Sequence, residues 1–167
     1  MPFTTDLAVR QRRYARCVTE DKDGNLWFGT RDGLVKYDIK TQNRRIWRNP
    51  DAAKTVLAEN IVFSLHCDSA NNIWIGTANG LNFYNRKTDK ITFLSNKNGF
   101  PTGNYKFFYR DKDGVLWVNM LDNDGLYWLG KDQKLHSIRE HPQLNRFAGM
   151  EVWTMMQDSK GRFLVRI

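Results

Sequence analysis

The feature that most constrains this chain is an internal repeat. DKDGNLWFGTRDGL runs from Asp21 to Leu34, DSANNIWIGTANGL from Asp68 to Leu81, and DKDGVLWVNMLDNDGL from Asp111 to Leu126. DSKGRFLVRI, from Asp158 to Ile167, opens a fourth copy. The leading aspartates lie 47, 43 and 47 positions apart. A period of roughly 40–50 residues is that of a four-stranded propeller blade. The second copy shows the strands: IVFSLHC, IWIGT, LNFYN and ITFLS, each short, β-branched or aromatic, and bounded by Gly, Asn or Asp. In the first of them Ile61, Phe63 and Leu65 are expected on one side and Val62, Ser64 and His66 on the other. No stretch sustains a 3.6-residue period, so helices should be scarce. The expected fold is all-β: four-stranded antiparallel propeller blades at about 14–48, 61–94 and 105–138, and half a blade at 151–167. One domain of 167 residues is thereby accounted for.

The repeated residues have physical tasks. Asp21, Asp68, Asp111 and Asp158 end a strand at a tight turn, where a carboxylate accepts hydrogen bonds from turn amides. Gly24, Gly114 and Gly161 permit positive φ there, and Asn71 is the next-best residue. Trp27, Trp74 and Trp117 are wedges for packing between blades. Trp27 belongs to the first blade and is expected to be less enclosed than Trp74. A chain of this kind would leave terminal strand edges exposed. It is therefore expected to need partners: the remaining blades of a longer propeller, or a second copy of itself.

The pattern resembles the two-component regulator propeller repeat, roughly D-x-x-G-x-[LI]-W-[IF]-G-T-x-x-G-L-x-x-Y. The first two copies match from Asp21 to Tyr37 and from Asp68 to Tyr84. The third departs after Trp117: Asn119-Met120 replaces Gly-Thr, two residues enter the turn, and Trp128 stands near the Tyr position. The fourth has Leu164 in place of Trp. The resemblance implies an extracytoplasmic sensor region of a bacterial hybrid two-component regulator, periplasmic or extracellular, without catalysis in this segment and with an oligosaccharide as ligand. A protein–protein scaffold is the alternative, and a propeller lyase or glycosidase a more distant one.

Other chemistry finds little support in the sequence. His66, His136 and His141 do not pair at metal-ligand spacing, and neither a metal nor a cofactor is expected. No P-loop, G-x-S-x-G or G-x-G-x-x-G occurs. The sialidase Asp-box fails by one residue between Asp and Gly. Cys17 and Cys67 lie four and one residues before their turn aspartates, on opposite sides by period-2 counting, so a disulfide is not expected. Net charge is +8, with Arg10, Arg12, Arg13 and Arg16 near the start. No helix-turn-helix, zinc-finger or RNA-binding signature accompanies them, so no nucleic acid is expected; membrane contact would come only through other parts of a longer protein.

Up-and-down topology puts the turn between strands two and three on one face, with the links between blades. Those links, 49–60, 96–104 and 141–150, are long and dissimilar, whereas the Asp turns of the other face are short and uniform. Binding is therefore expected on the link face. Its candidates are Asn60, Asn104, Tyr105 and Glu151, which begin inner strands, and Asp122, Asn123 and Asp124 in the enlarged third-copy turn. Amides, carboxylates and an aromatic ring suit sugar hydroxyls and faces.

Overall fold

The computed structural model describes residues 14–49, 56–121, 125–142 and 144–167. The first blade is β1 (Ala15–Glu20), β2 (Leu26–Thr30), β3 (Gly33–Tyr37) and β4 (Arg44–Trp47). The second is β5 (Val62–Cys67), β6 (Ile73–Thr77), β7 (Gly80–Asn85) and β8 (Lys90–Leu94). The third is β9 (Tyr105–Arg110), β10 (Leu116–Met120), β11 (Leu126–Leu129) and β12 (Leu135–Ser137), and β13 (Thr154–Gln157) with β14 (Phe163–Arg166) make a two-stranded fourth sheet. Each sheet pairs its strands antiparallel in chain order. Inner strands β1, β5, β9 and β13 lie side by side, which is propeller geometry. Three short 3₁₀ turns are the only helical elements among the described residues.

The turn aspartates act as the repeat requires. Asp21 Oδ1 accepts the amides of Asp23 (3.0 Å) and Asn25 (2.9 Å), and Asp68 Oδ1 those of Ala70 and Asn72 (both 2.9 Å). Asp111 takes the amide of Val115, and Asp158 those of Lys160 and Arg162. Asn71 supplies the positive φ, +66°, that Gly24 supplies at +84° in the first copy.

Three apolar clusters fill the seams between blades. Trp27, Leu34 and Trp47 of the first blade pack against Val62, Ile73, Ile75 and Tyr84 of the second. Trp74 and Leu81 pack against Tyr105, Leu116, Val118 and Tyr127 of the third. Trp117 and Leu126 meet Met155 of the fourth, with Phe163 and Val165 alongside. Each tryptophan therefore faces the following blade. This corrects the expectation for Trp27: it is 0% exposed, against 7% for Trp74, because the open side of the first blade is its other face. The same rule explains Leu164. It holds the tryptophan position on a blade with no described successor and is 51% exposed.

The alternation expected for β5 is interrupted. Val62 pairs with Thr77 and Ser64 with Gly76, a β-bulge that leaves Phe63 as the extra residue. Val62 thus joins Leu65 against the first blade rather than sharing a side with Ser64. Bulges recur at Arg16 in β1 and Lys106 in β9. Their side chains meet: the Arg16 guanidinium lies 4.5 Å and the Lys106 ammonium 3.6 Å from the Phe63 ring centroid. Such cation–π contacts, about 0.5–1 kcal/mol each where exposed, join three blades along their inner strands.

The third copy's departures compensate one another. Thr30 and Thr77 donate their hydroxyls to the carbonyls of Gly33 (2.8 Å) and Gly80 (2.7 Å), closing the second turn. Met120 has no hydroxyl. The amide of Asn119, one position earlier, donates instead to Gly125 O at 3.1 Å. The longer turn is closed by the same kind of bond from a different residue.

Candidate functional site

Of the link-face residues singled out from sequence, Asn60, Asn104, Tyr105 and Glu151 lie among the described residues. Asn60 spends its amide on the chain: Oδ1 accepts from Asn49 N at 2.6 Å and Nδ2 donates to Asn49 O at 2.9 Å, tying the two ends of the first link. Tyr105 is fully buried in the seam between the second and third blades, and its hydroxyl donates to Pro101 O at 2.6 Å. Burial raises its pKa further above the ordinary tyrosine value. Asn104 lends its carbonyl to Leu121 N at 3.0 Å. Glu151 is exposed. Asp122, Asn123 and Asp124 lie outside the described residues.

A cavity of about 350 Å³ opens on the opposite face, among the Asp turns, between the second and third blades. His66 and Trp74 line it from the second blade, with Asp68 at the turn. Arg110, Asp113 and Lys131 line it from the third. Leu116 and Leu129 also line it, and both pack in the apolar cluster that holds Trp74. The Trp74 ring is braced edge-on by Phe83 at 4.9 Å between centroids. His66, at the end of β5, is held below the ordinary histidine pKa by burial first and by the Arg110 charge second, with Asp68 opposing. Its imidazole is therefore neutral at neutral pH.

The repeat explains why the cavity is in this seam. In the first seam Lys22 of the D-K-D-G turn reaches across: its N–H donates to Asn71 Oδ1 at 2.7 Å and its ammonium to Ser69 O. In the third seam Lys112 does the same, with its N–H to Gln157 Oε1 at 3.0 Å and its ammonium to Asp158 O. The second copy reads D-S-A-N, and Ser69 stands where those lysines stand. It is too short to span the seam. Trp74 differs in the same sense. Trp27 and Trp117 donate their indole N–H to Asp21 Oδ2 (2.8 Å) and Asp111 Oδ2 (2.7 Å). Asp68 Oδ2 is instead taken by Asn72 Nδ2 at 3.1 Å, and the Trp74 indole N–H has no partner among the described residues. Sequence reasoning treated the Asp turns as uniform scaffold and missed this. The signal was present in the exchange of Lys for Ser at position 69.

Among the described residues no three His, Cys, Asp or Glu side chains gather as a metal site. The chemistry on offer is recognition: a flat apolar ring, unspent hydrogen-bond donors and a few charges around an open cavity.

The family model of the two component regulator propeller matches residues 11–32 and 56–79, the start of the first two copies, as the sequence resemblance implied. No curated protein matches the sequence. Among solved structures, the chain resembles the extracellular domain of a putative hybrid two component system from B. thetaiotaomicron, with 23% identity and a TM-score of 0.69. That match covers 96% of this chain and 20% of the other, so the chain spans a fifth of that domain's length. A streptogramin B lyase matches at 17% identity and TM-score 0.59 over 92% of this chain and 47% of its own. Virginiamycin B lyase from Staphylococcus aureus matches at 13% identity and TM-score 0.63, over 93% and 50%. At these identities the structural matches establish the fold, a β-propeller, which sensor domains and enzymes share. Among the described residues no helix is long and apolar enough to cross a membrane.

Proposed function

We propose that this chain is a ligand-recognition segment of a two-component sensor, and that it takes a carbohydrate in the cavity between the second and third blades. The observation that carries this reading is the Trp74 ring. Of the three repeat tryptophans it is the one that lines a cavity and leaves its indole N–H unspent. An aromatic face with hydrogen-bonding groups around it fits a sugar, whose ring has an apolar face and a polar edge. The repeat family and the likeness to an extracellular sensor domain supply the setting, on the outer side of a membrane. The segment needs no catalytic group for this role.

The test is isothermal titration of the purified protein with a panel of neutral and acidic mono- and disaccharides. At least one is expected to bind. Trp74→Ala is expected to weaken that binding by about 2 kcal/mol, roughly thirtyfold. Absence of binding across the panel, or binding that ignores Trp74→Ala, overturns the reading. Capture of a protein partner through the same face, blocked by Trp74→Ala and without saccharide binding, would replace it with the scaffold role.

A further inference from the structure

We propose that the saccharide taken by this cavity carries a carboxylate, received by the Arg110 guanidinium while the sugar ring lies on Trp74. The inference rests on the reading that a sugar occupies the cavity. It begins from the state of Arg110. Four arginines are spent on carboxylates, Arg45 on Asp89, Arg48 on Asp32, Arg86 on Asp23 and Arg162 on Asp158, whereas the side chains of Arg31, Arg44 and Arg166 make no such pair among the described residues and line no part of this cavity. Arg110, the last residue of β9, has no ion pair or hydrogen bond among the described residues, and it lines the cavity. A guanidinium offers a planar fork of donors that matches a carboxylate in two parallel bonds.

The other groups around the cavity favour an acceptor as guest. Asp68 is already committed, its Oδ1 to two turn amides and its Oδ2 to Asn72 Nδ2. The Trp74 indole N–H is an unspent donor, and Lys131 adds a second cation at the rim. Asp113, exposed at the same rim, is the one uncommitted carboxylate there and works against an anion. Three unspent donor groups, those of Arg110, Lys131 and the Trp74 indole, describe a uronic acid more closely than a neutral sugar. They also suit its planar two-oxygen anion better than a sulfate, whose three terminal oxygens ask for donors on several sides. The formal net charge of +8 works in the same direction by favouring the approach of an anion.

The experiment is titration of the purified protein with D-glucuronate, D-galacturonate, D-glucose and D-glucose 6-sulfate, and with disaccharides carrying them at one end. A uronate is expected to bind about tenfold or more tightly than its neutral counterpart. Arg110→Gln should erase that preference, bringing the uronate affinity down to that of the neutral sugar; near-UV circular dichroism checks that the exposed substitution leaves the fold intact. Equal affinity for uronate and neutral sugar overturns the carboxylate assignment, as does tighter binding of the sulfate, or a uronate preference that survives Arg110→Gln. In each of those cases, loss of binding in Trp74→Ala still upholds a sugar in the cavity. No binding by any member of the panel overturns both readings.

Discussion

Trp27→Phe and Trp74→Phe form a matched pair that isolates one hydrogen bond. Both keep an aromatic ring in the seam and both remove an indole N–H. At position 27 that N–H meets Asp21 Oδ2 at 2.8 Å in a place where Asp21 is 4% exposed. Removing a donor from a buried charged acceptor costs about 1.5–3 kcal/mol. Asp21 Oδ2 keeps the Asn25 amide at 2.9 Å, which puts the loss near the lower end, about 1.5–2 kcal/mol. The smaller ring also leaves a void between Trp47, 5.4 Å away, and Tyr84, 4.7 Å away. At position 74 no hydrogen bond is lost, and the void merges with a cavity already open to water. Trp27→Phe should therefore cost about 2 kcal/mol more than Trp74→Phe. With a urea m-value of about 2 kcal/mol/M, the unfolding midpoints should differ by roughly 1 M. Combining Trp27→Phe with Asp21→Asn assigns the effect, since the double variant should lose less than the two single losses added together. Equal midpoints for the two phenylalanine variants, or strict additivity with Asp21→Asn, would refute the reasoning.

Two further outcomes follow from titratable groups. His136 is raised above the ordinary histidine value chiefly by its bond to Asp132, 3.0 Å from Nε2, with Glu140 3.3 Å from Nδ1. The protonated form is favoured on folding, so its contribution is complete below the unfolded-state pKa and is lost as pH rises through the folded-state pKa; the melting temperature of the parent should fall across that window, and His136→Gln should flatten the change. Burial pushes the Cys17 thiol up to about 12, so iodoacetamide at pH 8 should label it only in denaturant, and rapid labelling of the native protein would show that its surroundings are open.

Much of the fold could be read from the repeat, because turn chemistry and strand alternation are local. Asp21 and Gly24 each act within a few residues of themselves. The side a tryptophan faces is not local. Trp27 looks across to Tyr84, and a period of 47 residues says nothing about which neighbouring blade receives it. The cysteines show the same limit. Counting by twos puts Cys17 and Cys67 on opposite sides of their own blades, yet opposite sides of adjacent blades are one seam, and both pack against its cluster as free thiols. The cavity escaped notice for a related reason. Uniform turns suggested uniform scaffolding, and only the contacts of Lys22 and Lys112 with the next blade reveal what Ser69 leaves undone. Tyr105 stands at the start of an inner strand, but the bulge at Lys106 accompanies its placement in the seam, where its ring is fully buried in packing.

The lysine clasps also divide the molecule mechanically. On the Asp-turn face the first and second blades are latched together, as are the third and fourth, while among the described residues no such latch joins the second and third there. The apolar cluster around Trp74 and Tyr105 still joins the second and third blades beneath that face. A molecule lodged between Trp74 on one bank and Arg110 on the other would act as the missing latch. It would add a tie across the Asp-turn face in the seam where the repeat supplies no lysine clasp.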